Sequence, residues 1–353
     1  MLSRVADSIY WMARYVERAE NMSRLLLSTR ALLLDAGAEG PKEERFWRPI
    51  LAASGDEADY LRLHKKIRGR TVAEFLTVST ENTNSIVNNI HAARENARTV
   101  RDQISDELWE CLNHLKLRID SPEGRAASRD GAAAFHEQVL RSSYQFQGIA
   151  AATTPRGDAW RFLRLGTCLE RADQTSRLVD SCSGFSLEMS PHSHAEPLRW
   201  AVLLRSCSAW HAFQTRSNRL DPAKIVEYLL LDETFPRSVA CCVDEVHTAL
   251  LALCGEWTRR EAMPETMHHA GRLHADLSYA RIGDILAGGL HDYIDGLQAR
   301  MIEIGDSIFR AFVLYADLTP VGRGDAQPGE ATAFHVSPLG GDLLVMQQQQ
   351  QQQ

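Results

Sequence analysis

One nine-residue pattern of this chain occurs twice. Glu17–Leu25 reads ERAENMSRL and Glu170–Leu178 reads ERADQTSRL, with six of nine identical and Glu/Asp and Asn/Gln among the exchanges. The apolar residues around them keep one register. Ile9, Met12, Val16, Ala19 and Leu26 fall opposite Phe162, Leu165, Leu169, Ala172 and Val179 at the offset of 153 residues that separates Glu17 from Glu170. Agreement in both charge and apolar register points to duplication rather than to a chance likeness of two helices. The fold must therefore offer two equivalent places to one helix. Two related halves, about 1–152 and 153–318, are expected, with the two Glu-Arg helices related by an approximate two-fold axis.

Apolar spacing of three and four residues dominates the rest of the chain. It predicts a first long helix with Val5, Ile9, Met12, Val16, Ala19, Ser23 and Leu26 on one stripe and Arg14, Glu17, Arg18 and Asn21 opposite, ended by a loop at Gly37–Pro41. Ile86, Ile90, Ala93, Ala97, Val100, Ile104 and Leu108 extend the same period for about six turns. Further helices are predicted at Ala132–Ala151, Asp158–Val179, Trp200–Phe213, Pro236–Glu256, Thr266–Ala287 and Leu290–Tyr315, with Asp120–Gly131 and Ser183–Pro197 as loops. Ile225–Leu231 reads as helix, and no segment reads as a convincing strand. Twelve Pro and 22 Gly are few for 353 residues, which favours long helices. The expected class is all-α, a multi-helix array or bundle with an internal duplication, helical over more than about two thirds of its residues. Residues 319–353 form a Gly- and Pro-containing linker and a tail ending in Gln347–Gln353, for which composition predicts disorder.

A formal charge of −7 argues against nucleic acid as a partner. Seven Cys, an odd number with no CxxC, suit buried reduced thiols in a reducing compartment. Arg4, Asp7, Arg14 and Glu17 interrupt any apolar leader, and no uncharged run approaches the roughly 20 residues of a membrane span. A cytoplasmic chain is expected.

Direct searches for chemistry return little. There is no P-loop and no Rossmann glycine fingerprint, so no nucleotide cofactor is indicated. His136-Glu137 opens an HExxH-like string that fails at Leu140. Glu265-Thr-Met-His268 is a lone Glu-x-x-His, and Asp244-Glu-Val-His247 only approaches a second, so no di-metal site and no metal are expected. His268, His269 and His274 read as a helix-start surface. Cys241 and Cys242 read as core fillers, and Trp11, Trp109 and Trp160 as anchors of helix crossings.

The Glu-Arg pairs are the remaining candidates. Glu17 and Arg18, like Glu170 and Arg171, are adjacent and point about 100° apart on a helix, so neither pair closes on itself. Glu20–Arg24 and Asp173–Arg177 have the i,i+4 spacing and read as exposed helix-stabilising pairs. Arg94, Arg98 and Arg101 form a like-charged string that needs neutralising. One inter-helix network of Glu17, Arg18, Glu170 and Arg171 with Arg94, Arg98 and Arg101 is the expectation; a solvated face or a site for a carboxylate or phosphate ligand are the alternatives.

These blocks carry a resemblance. ARYVERAENMSRLL (Ala13–Leu26), ARENARTVRDQIS (Ala93–Ser105) with Trp109 and Asn113 beyond it, CLERADQTSRLVD (Cys168–Asp180) and LLLDETFPRSV (Leu229–Val239) are similar to the bacterial alpha-E family, an all-helical domain named for its Glu-Arg motif. The resemblance covers about residues 1–318. It implies a setting beside circularly permuted ATP-grasp ligases, transglutaminase-like cysteine peptidases and a proteasome-like peptidase, and so peptide or amide-bond synthesis and turnover. The expected role is a non-enzymatic accessory or binding protein with a possible peptide ligand. The alternative is an enzyme of the same pathway with Glu17 or Glu170 as acid/base and Arg residues holding a substrate carboxylate.

Overall fold

The computed structural model describes residues 3–36, 44–129, 133–186, 195–256 and 263–313. Among the described residues there are sixteen helices and no strand. The loop expected at Gly37–Pro41 and the linker and Gln tail of 319–353 lie outside them. Residues 1–316 cluster as one compact unit.

The helices come in two sets of eight. The first set is α1 (Ser3–Ala36), α2 (Glu44–Ser54), α3 (Glu57–Leu63), α4 (Gly69–Thr77), α5 (Ile86–Thr99), α6 (Asp106–Asp120), α7 (Pro122–Arg129) and α8 (Ala133–Thr153). The second is α9 (Asp158–Ser186), α10 (Ala195–Ser206), α11 (Trp210–Gln214), α12 (Pro222–Leu231), α13 (Val239–Glu256), α14 (Met263–Ser278), α15 (Ile282–Gly288) and α16 (Leu290–Phe312). Starts agree with the 153-residue offset at α3/α11, α4/α12 and α5/α13, and drift a few residues later from α6/α14 onward. The duplication thus spans the whole unit, well beyond the nine residues that reveal it.

Details repeat as well. The α5 N-cap Ser85 accepts from the Asn88 amide, and Ser238, 153 residues on, accepts from the Cys241 amide at the start of α13. Both α2 and α10 end on a residue of positive φ, Gly55 (77°) and Ser208 (54°), again 153 apart. Each donates its amide three residues back, and the next residue donates five back, to Leu51 and Leu204 respectively. This is the paired capping bond set that closes a helix with a left-handed residue.

Packing follows the same symmetry. α1 lies against α9; α5 and α8 flank α1, as α13 and α16 flank α9. α2 packs on α9 while α10 packs on α1, so each half seats its second helix on the other half's first. The two sets of eight helices are interlocked. α1 and α9 touch where Gly166 meets its own counterpart Ala13: a Cβ on Gly166 would lie 2.2 Å from the Tyr10 carbonyl oxygen and 3.1 Å from the Ala13 Cβ. A residue meeting its own counterpart is what a two-fold relation requires at its axis.

Four sequence expectations need correction. Trp200–Phe213 is not one helix; it divides into α10 and α11 at Cys207–Ala209. The apolar period from Ile86 to Leu108 is not one helix; α5 stops at Thr99 and α6 starts after Ser105, whose hydroxyl caps the Leu108 amide. The period survives the break because Val100 and Leu108 face the same core. Asp120–Gly131 is not wholly a loop, since α7 occupies most of it. Ser121 caps the Gly124 amide and Pro122 sits at the first helical position, where its missing N–H costs nothing. Thr266–Ala287 divides into α14 and α15 at Tyr279–Arg281.

Candidate functional site

α1 is apolar on one side, with Ile9, Met12, Val16, Ala19 and Leu26 buried, yet its opposite face is buried too. Glu17, Glu20, Asn21 and Arg24 turn toward α9, α8, α10 and the turn before α13 rather than toward water. A helix enclosed on all sides can carry such residues only if each charge and donor finds a partner.

The partners are reciprocal. Arg171 of α9 forks onto Glu17 at 3.1 and 2.8 Å. Arg18 of α1 forks onto Glu170 at 2.6 and 2.9 Å. Each half's Arg therefore holds the other half's Glu, with both oxygens engaged as bidentate geometry demands. Adjacent Glu and Arg point apart on their own helix, and the crossing at Gly166 brings them onto the neighbouring one.

Further guanidiniums complete the cluster. Arg237, from the turn before α13, donates to Glu17 at 2.6 Å, to Asn21 at 2.9 Å and closely to Glu20. Arg24 donates to Glu20 at 2.7 Å, to Asn21 at 2.6 Å and to the Ser206 carbonyl. Arg14 donates to Glu170 at 2.9 Å. Gln147 of α8 donates to Glu17 and Glu20. Arg18 also reaches Asn84, beside the α5 N-cap, and Arg171 reaches the Pro236 carbonyl beside the α13 start. Both cross-helix arginines thereby also hold the chain entering the next helix.

Exposure separates an inner from an outer part. Glu17, Glu20 and Glu170 are at most 1 % exposed, whereas the Arg14 and Arg18 side chains keep 17 and 16 %. Burial alone would raise the Glu17 carboxyl, but Arg171 and Arg237 overcome it and hold it well below the usual range. The same contest, won by Arg18 and Arg14, brings Glu170 down to about 2. Both carboxylates are buried and held ionised by paired guanidiniums, and the cluster ties the two helices together.

Of the residues singled out from sequence, the fold brings Glu17, Arg18, Glu170 and Arg171 into one cluster and leaves Arg94, Arg98 and Arg101 outside it. α5 turns Ile86, Ile90, Ala93 and Ala97 into the core, which sets Arg94 and Arg98 on its outer side, with Arg101 in the turn that follows. There Glu95 neutralises Arg94 at 2.6 Å and Arg98 at 2.8 Å, while Arg94 and Arg101 lie over the Trp109 ring. Glu20–Arg24 is a buried part of the network rather than an exposed pair. Asp173–Arg177 is partly buried, at 2.9 Å. Sequence reasoning assigned no role to Arg14 or Arg237. The signal for Arg237 was its place in LLLDETFPRSV, 153 residues after Asn84, the other partner of an ER-motif arginine.

The other weighed groups resolve into local contacts. His269 sits near Glu265 and Glu303, and His274 pairs with Asp244 and stacks on His247. Among the described residues, Asp180, His291 and Asp295 have ligand atoms within 4.8 Å of one another. They form a surface ion pair in which the His291 ring, 68 % exposed, meets Asp180 at 2.8 Å. All seven Cys are free thiols. No helix among the described residues is long and apolar enough to cross a membrane.

The fold and its centre define a class: an all-helical, internally duplicated domain whose halves are bonded through two exchanged Glu-Arg pairs. The chain belongs to the Alpha-E family, described as a predicted alpha-helical domain with a conserved ER motif, whose model matches residues 1–313. Uncharacterized proteins of Mycobacterium bovis and of two strains of Mycobacterium tuberculosis are 24 % identical to it over 322 residues. That match takes in 86 % of this chain but 36 % of each relative, so the chain spans about a third of their length. No solved structure matches it.

Proposed function

We propose that this domain is a non-enzymatic accessory protein of the cytoplasm that acts beside a circularly permuted ATP-grasp ligase, in a system that forms or edits peptide bonds and includes a transglutaminase-like peptidase. The observation that carries the non-enzymatic part is the closure of the Glu-Arg motif. Glu17 and Glu170 each accept from two guanidiniums and are at most 1 % exposed. A general acid or base needs reach to substrate and a pKa near the working pH, and these carboxylates have neither. The pathway itself is carried by the family resemblance. The greater length of the relatives fits a module that works alongside further polypeptide.

Two measurements test this. Affinity purification of the chain from its native cell, followed by mass spectrometry, is expected to return an ATP-grasp protein. The purified chain alone, given ATP and amino acids, is expected to produce no turnover. Turnover without the ligase would overturn the reading in favour of an enzyme.

A further inference from the structure

We draw no further inference here: the strongest candidate, the side-chain cluster of Asp180 on α9 with His291 and Asp295 on α16, is a largely exposed ion pair, and no second observation among the described residues points to a metal or other ligand there.

Discussion

Glu17 and Glu170 occupy equivalent places but do not carry equal risk. Glu17 is surrounded by Arg171 and Arg237, which are 6 and 8 % exposed, so neutralising it strands two buried guanidiniums. Glu170 faces Arg14 and Arg18, which reach water and are covered by aromatic rings, with Arg14 5.0 Å from the Trp11 centroid. Removing one partner of a buried pair costs about 3–5 kcal/mol, because the other charge is left uncompensated. Glu17→Gln is expected to cost that much by urea unfolding, and Glu170→Gln distinctly less. Equal costs would contradict the inner and outer division of the cluster. Arg98→Gln is expected to change stability by less than about 0.5 kcal/mol, since its pair with Glu95 is exposed. The Glu-Arg residues were legible in sequence because adjacency forbids self-pairing, which forces a search for distant partners. Arg94, Arg98 and Arg101 drew attention as an unpaired string, although Glu95 stands within one turn of both Arg94 and Arg98 and neutralises them locally. Spacing on one helix shows what residues can do for each other; it does not show which distant turn, here that of Arg237, will reach them.

At the scale of elements, the crossing of α1 and α9 sets the geometry of everything above. Gly166 is there because backbone meets backbone. A methyl group in its place has no room against the Tyr10 carbonyl, and the obstacle is main chain rather than a flexible tip. Gly166→Ala is expected to destabilise by about 1–3 kcal/mol through overpacking and to splay the cross-helix forks; a melting temperature equal to wild type would refute the close approach. The α2 and α10 ends make a milder case. Gly55 takes a left-handed conformation freely, whereas Ser208 takes it at a strain that only Gly, and less readily Asn or Asp, escapes. Ser208→Gly is expected to be neutral or stabilising by up to about 1 kcal/mol, net of the added freedom of the unfolded chain. Helix existence was legible from the apolar period, and boundaries were less so. The period runs unbroken through Val100–Ser105 because both flanking helices face one core, so only the capping Ser105 marks the break. Likewise Ser121-Pro122 announces α7 inside a stretch whose Gly and charge content reads as loop.

For the molecule as a whole, the titrating groups act in opposite directions. Glu17 and Glu170 are depressed, so their contribution is complete above the ordinary carboxylate value of 4.5 and is lost as pH falls toward 2. His136 is depressed from 6.5 to about 4; its contribution is complete above 6.5 and is lost on acidification across that window, because the unfolded chain takes up a proton that the buried ring refuses. Asp7 is raised by burial to about 6, so its contribution is complete below 3.8 and is lost as pH rises through that window. His136 and Asp7 therefore offset each other between roughly pH 4 and 6. Thermal melts are expected to be nearly flat from pH 7 to pH 5 and to fall steeply below about 4.5, as the unfolded chain takes up protons that the inner carboxylates refuse. A melting temperature that rises from pH 5 to pH 3 would contradict this.

The Glu-Arg motif is an exchanged structural bond between two copies of one eight-helix unit. A double-mutant cycle on Glu17 and Arg171, read by urea unfolding, tests it most directly. Each single change to Gln is expected to cost several kcal/mol, and the double change to cost less than their sum by at least about 1 kcal/mol, since each single mutant leaves a charge that the double mutant removes. Small and additive costs, within about 0.5 kcal/mol of zero coupling, would show that the pair does not hold the halves together.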